Sequence, residues 1–348
     1  MGYRVVIPTA GIGSRLGSLT KYINKSLVSI ANRPIISHVI EQFPDDCEFV
    51  IALGYKGNLV KDFLELAYPN KVFYFAYVTP YEGSGSGLGL SLIACEKYLQ
   101  EPFVFISCDT LVKGDIKKPD HNWMGYANMN DPSQYRTLSI DNNEIFEIYE
   151  KGVIEKNIHA YIGLAGVYDF KIFWSRMHAD NDTVIEQGES YGLKSLVSSV
   201  KVLPYDFVWF DTGNPEALAK TRKAYAESQE PNILEKENEA IWFVGRSVIK
   251  FSDDKSFIAN RIRRVAELKG FVPEVYNHRP NMYCYKKIEA KVLSNVITMP
   301  IFDKLLSLSE KFWIKQTLSR EQELEFRNNC SKFYKDKTLE RVRLFYKN

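Results

Sequence analysis

The 348-residue chain is long enough for two packed bodies, and 45% apolar residues supply more than one core. With 45 Lys and Arg against 43 Asp and Glu, a formal charge of +2 gives no electrostatic reason to expect nucleic acid or an anionic membrane as partner. The five cysteines are scattered with no CxxC pair, which argues against a disulfide framework and a zinc site and fits a reducing cytoplasm. The N-terminus enters a strand with no signal peptide before it, and no apolar run approaches the roughly eighteen residues of a membrane span.

In chain order, residues 3–8 read as a buried strand that stops at Ala10-Gly11-Ile12-Gly13-Ser14-Arg15, with Lys21 and Lys25 behind it. The two glycines let backbone N–H groups approach a ligand without a Cβ in the way, and the cations suit polyphosphate. A helix over 34–43 follows, with Ile35, Ile36, Val39 and Ile40 at helical spacing, then strand 48–53, helix 57–66, strand 72–78, helix 88–99 and strand 103–107. Apolar strands alternating with helices predict a Rossmann-like α/β fold, its mostly parallel sheet flanked by helices. Ligands collect beyond the carboxyl ends of such strands, where the glycine loop and Asp109 both fall.

Segments 136–140, 144–149 and 160–168 alternate as antiparallel strands and would wall a second substrate. Helices at 171–178 and 193–200, a strand ending at Asp211 and a helix over 215–227, capped between Thr212 and Asn214, complete this part. The polar, charged stretch 229–239 is the expected linker between a domain of residues 1–228 and a smaller α+β domain of residues 240–348.

Gly11-x-Gly13-x-Arg15-Leu16, with Thr20-Lys21 and Lys25, resembles the signature loop of the sugar-phosphate nucleotidyltransferases, or nucleotide-sugar pyrophosphorylases. It is neither a P-loop nor a dinucleotide fingerprint, which need Gly-Lys-Ser/Thr and a third glycine. Where the family has Pro-Lys-Pro this chain has Asn24-Lys25-Ser26, which predicts a less stiff loop. Asp109, in Ser107-Cys108-Asp109-Thr110-Leu111, and Asp211, in Phe210-Asp211-Thr212-Gly213-Asn214-Pro215, resemble the family's two metal-binding aspartates and imply Mg²⁺.

The resemblance implies transfer of a nucleotidyl group from an NTP to a sugar-1-phosphate, with pyrophosphate leaving in line and no general base. Arg15 would hold the β- and γ-phosphates, and Lys25 would bridge the α-phosphate and the attacking phosphate. Ala10, Gly11, Gly13 and Ser14 would cradle the nucleotide. From the second glycine cluster, Glu82, Gly83, Gly87 and Leu88 would pass beneath the base and ribose; the cluster aligns two ways, one like uridylyl and one like guanylyl and cytidylyl members. Glu150-Lys151 would meet the sugar hydroxyls and phosphate, and Gly166 would face the sugar from the 160–168 strand, where Leu164 replaces a polar residue.

Two alternatives accompany this reading. One is a cytidylyltransferase for choline phosphate or a polyol phosphate, with Tyr126, Tyr149 and Tyr161 available as an aromatic cage. The other is a domain that binds a nucleotide-sugar without making it, which would have no need of Arg15 and Lys25. A homo-oligomer stays open, since sequence alone sets no oligomeric state.

The last third has no hexapeptide repeat. A hairpin over 241–251, a helix over 256–268 and strands at 273–276 and 282–290 resemble the N-lobe of aminoglycoside/choline phosphotransferase-like kinases, with Lys250 in place of the phosphate-binding strand lysine. Asn260 and Arg261 stand where its acidic partner is expected, and no His-x-Asp catalytic loop follows, so kinase activity is not expected. The segment reads as part of a kinase domain, the chain as the front of a longer bifunctional protein. Residues 301–348 read as helical, with Phe302, Leu305, Phe312, Trp313, Phe333, Leu344 and Phe345 as packing residues.

Overall fold

A computed structural model describes residues 2–153, 158–226, 233, 235–312 and 316–347. Strands β1 (Arg4–Pro8), β2 (Glu48–Leu53), β3 (Phe73–Tyr77) and β4 (Phe103–Ile106) lie parallel in the order β3-β2-β1-β4, linked by α1 (Ile35–Ile40), α2 (Gly57–Ala67) and α3 (Leu88–Cys95). Successive residues face opposite ways: Val5, Ile7, Ile51 and Ile106 enter one core, while Val6, Val50 and Phe105 enter the other. Both faces being covered is why these strands are apolar throughout. The strand order reverses between β1 and β4, so their carboxyl ends flank the crevice where such sheets bind ligands.

The chain then adds β5 (Thr110–Lys113), β6 (Trp123–Ala127), β7 (Thr137–Asp141), β8 (Glu144–Tyr149) and β9 (Ile158–Val167). Helices α4 (Phe170–Met177), α5 (Asn181–Gln187) and α6 (Glu189–Ser199) follow, then β10 (Leu203–Asp206), β11 (Val208–Asp211) and α7 (Pro215–Ala224). Strand β9 runs antiparallel to β4 and carries β6 and β7; β8 closes that edge on β7, and β10 lies parallel to β6. Strands β5 and β11 form a separate antiparallel ribbon with Asp211 opposite Thr110.

Strands β5 and β6 and helix α5 were not expected. Each is short, and β6 is interrupted by Gly125, so no clear period marks them. Helix α6 begins at Glu189 rather than 193. Gly192 hides its period: a Cβ there would sit 2.4 Å from the Phe173 ring, so the residue that packs is the one with no side chain.

The four-stranded antiparallel sheet of β12 (Glu239–Val244), β13 (Ser247–Ser252), β14 (Val275–Arg279) and β15 (Met282–Lys286), in the order β12-β13-β15-β14, carries α8 (Lys255–Glu267) between β13 and β14. It does not stand apart from the first sheet. Trp242, Ile249, Phe251 and Met282 belong to the same core as Val5 and Phe63, and the Trp242 ring meets Phe63 edge-on at 5.2 Å. The Trp242 indole donates to Ser29 Oγ at 3.0 Å, and Arg279 pairs with Glu65 of α2 at 3.0 Å. The compact unit therefore runs Met1–Glu289, past the linker expected at 229–239, of which 229–232 and 234 lie outside the described residues.

The second unit, Ala290–Asn348, contains α9 (Met299–Phe312), α10 (Arg320–Cys330), which Ser319 and Gln322 cap reciprocally, and α11 (Lys337–Lys347). Phe302, Leu305 and Phe333 are exposed there rather than packed; Trp313 and the side chains of Phe312, Leu344 and Phe345 lie outside the described residues. Among the described residues no helix is long and apolar enough to cross a membrane.

Candidate active site

The loop leaving β1 is held by its neighbours before any ligand arrives. Thr9 donates both its N–H and its hydroxyl to the Ala52 carbonyl, at 3.0 and 2.7 Å. Asn24 is fully buried and satisfied: its amide donates to the carbonyls of Thr9 (2.8 Å) and Tyr55 (2.7 Å), and its oxygen accepts from Ser26 N–H (2.9 Å) and Ser26 Oγ (2.8 Å). The looser loop expected from losing two prolines is not what the structure shows, because hydrogen bonds tie down what ring rigidity would have fixed. Gly13 has φ 70°, and a Cβ on it would fall 2.8 Å from Lys25 Cβ; it makes room for the lysine stem.

Lys25 reaches Asp109, with Nζ 3.2 Å from Oδ2, while Ser107 Oγ donates to Oδ1 at 2.6 Å. Burial alone would raise the Asp109 pKa, but the Lys25 ammonium, the Ser107 hydroxyl and Arg15 outweigh it and bring it to about 2. Burial acts against the Lys25 charge as well, and Asp109 outweighs it, so the lysine is held above its ordinary value. Both groups are charged at neutral pH.

Thr212 joins the two aspartate-bearing turns: its N–H and hydroxyl donate to the Asp109 carbonyl at 3.0 and 3.1 Å. Asp211 accepts from Gly213 N–H at 2.7 Å and from the Tyr135 hydroxyl at 3.0 Å. A Cβ built on Gly213 would lie 3.1 Å from Asp211 Oδ1, 3.3 Å from Asp109 Oδ2 and 3.6 Å from Arg15 Nη2, so both carboxylates and the arginine converge on one spot. Among the described residues no group of three or more His, Cys, Asp or Glu could hold a metal. Two carboxylates still suit magnesium, which takes one or two from the protein and completes its shell with water and substrate phosphate.

These groups line one cleft of about 490 Å³ at the β1–β4 switch point. Of the residues expected from sequence, Ala10, Gly11, Arg15, Lys25, Gly87, Leu88, Asp109, Lys151 and Asp211 line it. Ser14, Glu82 and Gly83 are exposed and lie outside its lining, and Gly83 has nothing within 4 Å of where its Cβ would be. Gly87 serves packing too: a Cβ there would fall 2.2 Å from the Ile185 carbonyl oxygen of α5.

Two acceptor-side expectations change. The Glu150 carboxylate is taken up by Arg136 Nε (2.9 Å) and Lys194 Nζ (2.6 Å) and does not line the cleft. Gly166 is buried against Trp123, where a Cβ would sit 2.0 Å from Nε1. The glycine of β9 that lines the cleft is Gly163, with φ 70° and its carbonyl accepting from Ser107 N–H at 2.8 Å. Of the three tyrosines considered for a cage, Tyr161 lines the cleft and Tyr126 and Tyr149 do not.

Sequence reasoning missed Tyr135, Arg136, Glu189 and Trp209 in the lining. A signal existed for Glu189: it follows Gly188 and opens an α-helix, where a carboxylate is favoured.

No family model matches the chain. A bifunctional protein GlmU of Methanocaldococcus jannaschii is 24% identical over 256 residues, covering 70% of this chain and 60% of the relative. A D-glycero-alpha-D-manno-heptose 1-phosphate guanylyltransferase of Campylobacter jejuni is 24% identical over 160 residues, 44% of this chain and 70% of its own length. The crystal structure of a UDP-glucose pyrophosphorylase complexed with UDP-glucose superposes with a TM-score of 0.55 at 19% identity, over 65% of this chain and 98% of that one. The chain thus shares the mixed α/β fold of the sugar-phosphate nucleotidyltransferases, and it spans about 60% of the length of the GlmU relative.

Proposed function

We propose that this chain transfers a nucleotidyl group from an NTP to the phosphate of a sugar-1-phosphate and releases pyrophosphate. The observation that carries the reading is the convergence of Asp109, Asp211 and Arg15 beside Gly213, with Lys25 on Asp109, at the switch point of the sheet. The heptose 1-phosphate guanylyltransferase and the UDP-glucose pyrophosphorylase, named for this chemistry, support it.

In the proposed reaction an acceptor phosphate oxygen bonds to the α-phosphorus as the bond to the bridging oxygen breaks, and pyrophosphate departs with the electron pair. The acceptor phosphate is largely ionised near neutral pH, its second pKa being about 6, so no base is assigned. Arg15 neutralises charge on the departing phosphates. Lys25, charged throughout the working range, lies between the donor α-phosphate and the attacking phosphate, and its pairing with Asp109 keeps it aimed into the cleft. Asp109 and Asp211 would hold magnesium, which neutralises phosphate charge when bound.

The small sheet of β12 to β15 keeps the kinase-N-lobe reading as a proposal, supported by the placement of α8 between β13 and β14 and of half-buried Lys250 on β13. It is assigned no phosphoryl transfer.

The test is pyrophosphate release with Mg²⁺ from each of four NTPs against a panel of sugar-1-phosphates, with Asp109→Asn beside it. Turnover with one pair, abolished in the variant, is expected. An equal rate in Asp109→Asn, or no NTP binding at all, refutes the reading.

A further inference from the structure

Within this cleft, three buried side-chain atoms have no hydrogen-bond partner: the Tyr161 hydroxyl, Glu189 Oε2 and Trp209 Nε1. Tyr161 and Glu189 are each about 95% buried, at 5% exposure apiece. Buried polar groups in folded proteins are nearly always paired, and leaving them unpaired is expensive. Three such atoms on one cleft wall mark a place prepared for something polar. They come from β9, the first turn of α6 and β11, so no single loop's irregularity explains them.

The chemistry needed is legible from the atoms. Glu189 Oε2 requires a donor, the Trp209 indole requires an acceptor, and the Tyr161 hydroxyl can serve either way. An alcohol is both donor and acceptor, so it can give its proton to Glu189 and receive one from Tyr161 or Trp209. A quaternary ammonium has no N–H and satisfies none of the three. Arg15, Lys25, Arg136 and Lys151 also line the cleft, which suits phosphate and disfavours a further cation. Glu150 is already spent on Arg136 and Lys194.

We propose that Glu189 and Tyr161, with Trp209 beside them, form the subsite that reads a hydroxyl of the acceptor, so that the acceptor is a polyhydroxylated phosphate monoester and not choline phosphate. The assignment of this wall to the acceptor rests on the nucleotidyl-transfer reading. Glu189→Gln and Tyr161→Phe preserve shape and remove one hydrogen-bonding capacity each.

Calorimetry with a non-reacting NTP analogue present would measure binding of glucose 1-phosphate, mannose 1-phosphate, N-acetylglucosamine 1-phosphate, glycerol 3-phosphate and choline phosphate. At least one hydroxylated phosphate is expected to bind the wild-type chain more tightly than choline phosphate. Each variant should weaken that phosphate about tenfold or more, with NTP-analogue affinity kept within about twofold as the control for folding. Tighter binding of choline phosphate, equal binding in wild type and both variants, or no binding of any of these phosphates overturns the proposal. Pyrophosphate release on the same samples separates the two readings. Glu189-dependent binding with no pyrophosphate released would sink the transfer chemistry and leave the subsite standing.

Discussion

The two walls of the cleft are built on opposite principles. On the phosphate wall every charged group named has found a partner: Lys25 meets Asp109, Ser107 meets Asp109, and Gly213 and Tyr135 meet Asp211. On the acceptor wall Glu189, Tyr161 and Trp209 present buried polar atoms to the cleft with nothing on them. Permanent charges must be balanced when the site is empty, or the fold would carry unpaired buried ions. Neutral or single-atom deficits are tolerable, and they leave recognition to be completed by the ligand. The phosphate wall is thus organised for charge and the acceptor wall for selectivity.

The largest expected effect tests the first wall. Lys25→Met should lower the transfer rate about 10²- to 10³-fold, the scale of losing one preorganised electrostatic donor. Glu150→Gln, a change at a carboxylate clamped outside the cleft by Arg136 and Lys194, should cost less than about tenfold. Steady-state rates of pyrophosphate release for the two variants decide it. If Glu150→Gln proves as damaging as Lys25→Met, the carboxylate is an acceptor ligand after all and the division between walls fails.

The phosphate wall was also the legible one. Its residues sit in contiguous motifs at strand ends, where Gly11, Gly13, Arg15 and Lys25 fall within one short loop and each aspartate directly follows an apolar run. What sequence could not give was how Asp109 meets Asp211: that depends on the β5–β11 ribbon, two four-residue strands too short to show a period. The acceptor wall is assembled from lone residues on β9, α6, β11 and the loop before β7. Glu189 fell into an expected loop because Gly192 masked the helix that carries it. Asn24 misled in the other direction, since replacing proline by asparagine reads as lost rigidity until its four hydrogen bonds are seen.

A second difference between the walls concerns acid. His38 of α1 lies beneath the turn that carries Lys25, its Nε2 bonded to the Ile30 carbonyl at 2.9 Å and its ring edge-on to Tyr225. Burial, opposed by the Ile30 bond and aided by Arg33, lowers its pKa from 6.5 to about 4. Because the folded value is the lower one, its stability contribution is complete above about pH 6.5 and is lost as pH falls toward about 4. The loss across that window is about 3 kcal/mol. Urea unfolding at pH 7 and pH 4.5 should show it in the wild-type chain and a flatter dependence in His38→Gln. Identical slopes would remove the buried histidine from beneath the phosphate wall.

The smallest effect separates the two glycines of β9. A Cβ on Gly166 would sit 2.0 Å from Trp123 Nε1, and that indole is fully buried and held by its bond to the Lys118 carbonyl at 3.0 Å, so it has little room to yield. Gly166→Ala should therefore lower stability by about 2 kcal/mol through overpacking and leave the acceptor KM of the folded fraction unchanged. Gly163 differs on both counts. It lines the cleft, and with φ 70° and a prospective Cβ 3.0 Å from Ser107 Cβ, alanine there strains the backbone beside the residue that orients Asp109. Gly163→Ala should cost about 1 kcal/mol of stability yet raise the acceptor KM or lower the rate. Thermal melts and acceptor titrations on the pair would show opposite rankings in the two measurements. The reverse ranking would mean that Gly166, on the far side of the strand from the cleft, is the one that meets the substrate. The wall drawn from Tyr161, Glu189 and Trp209 would then have to be redrawn.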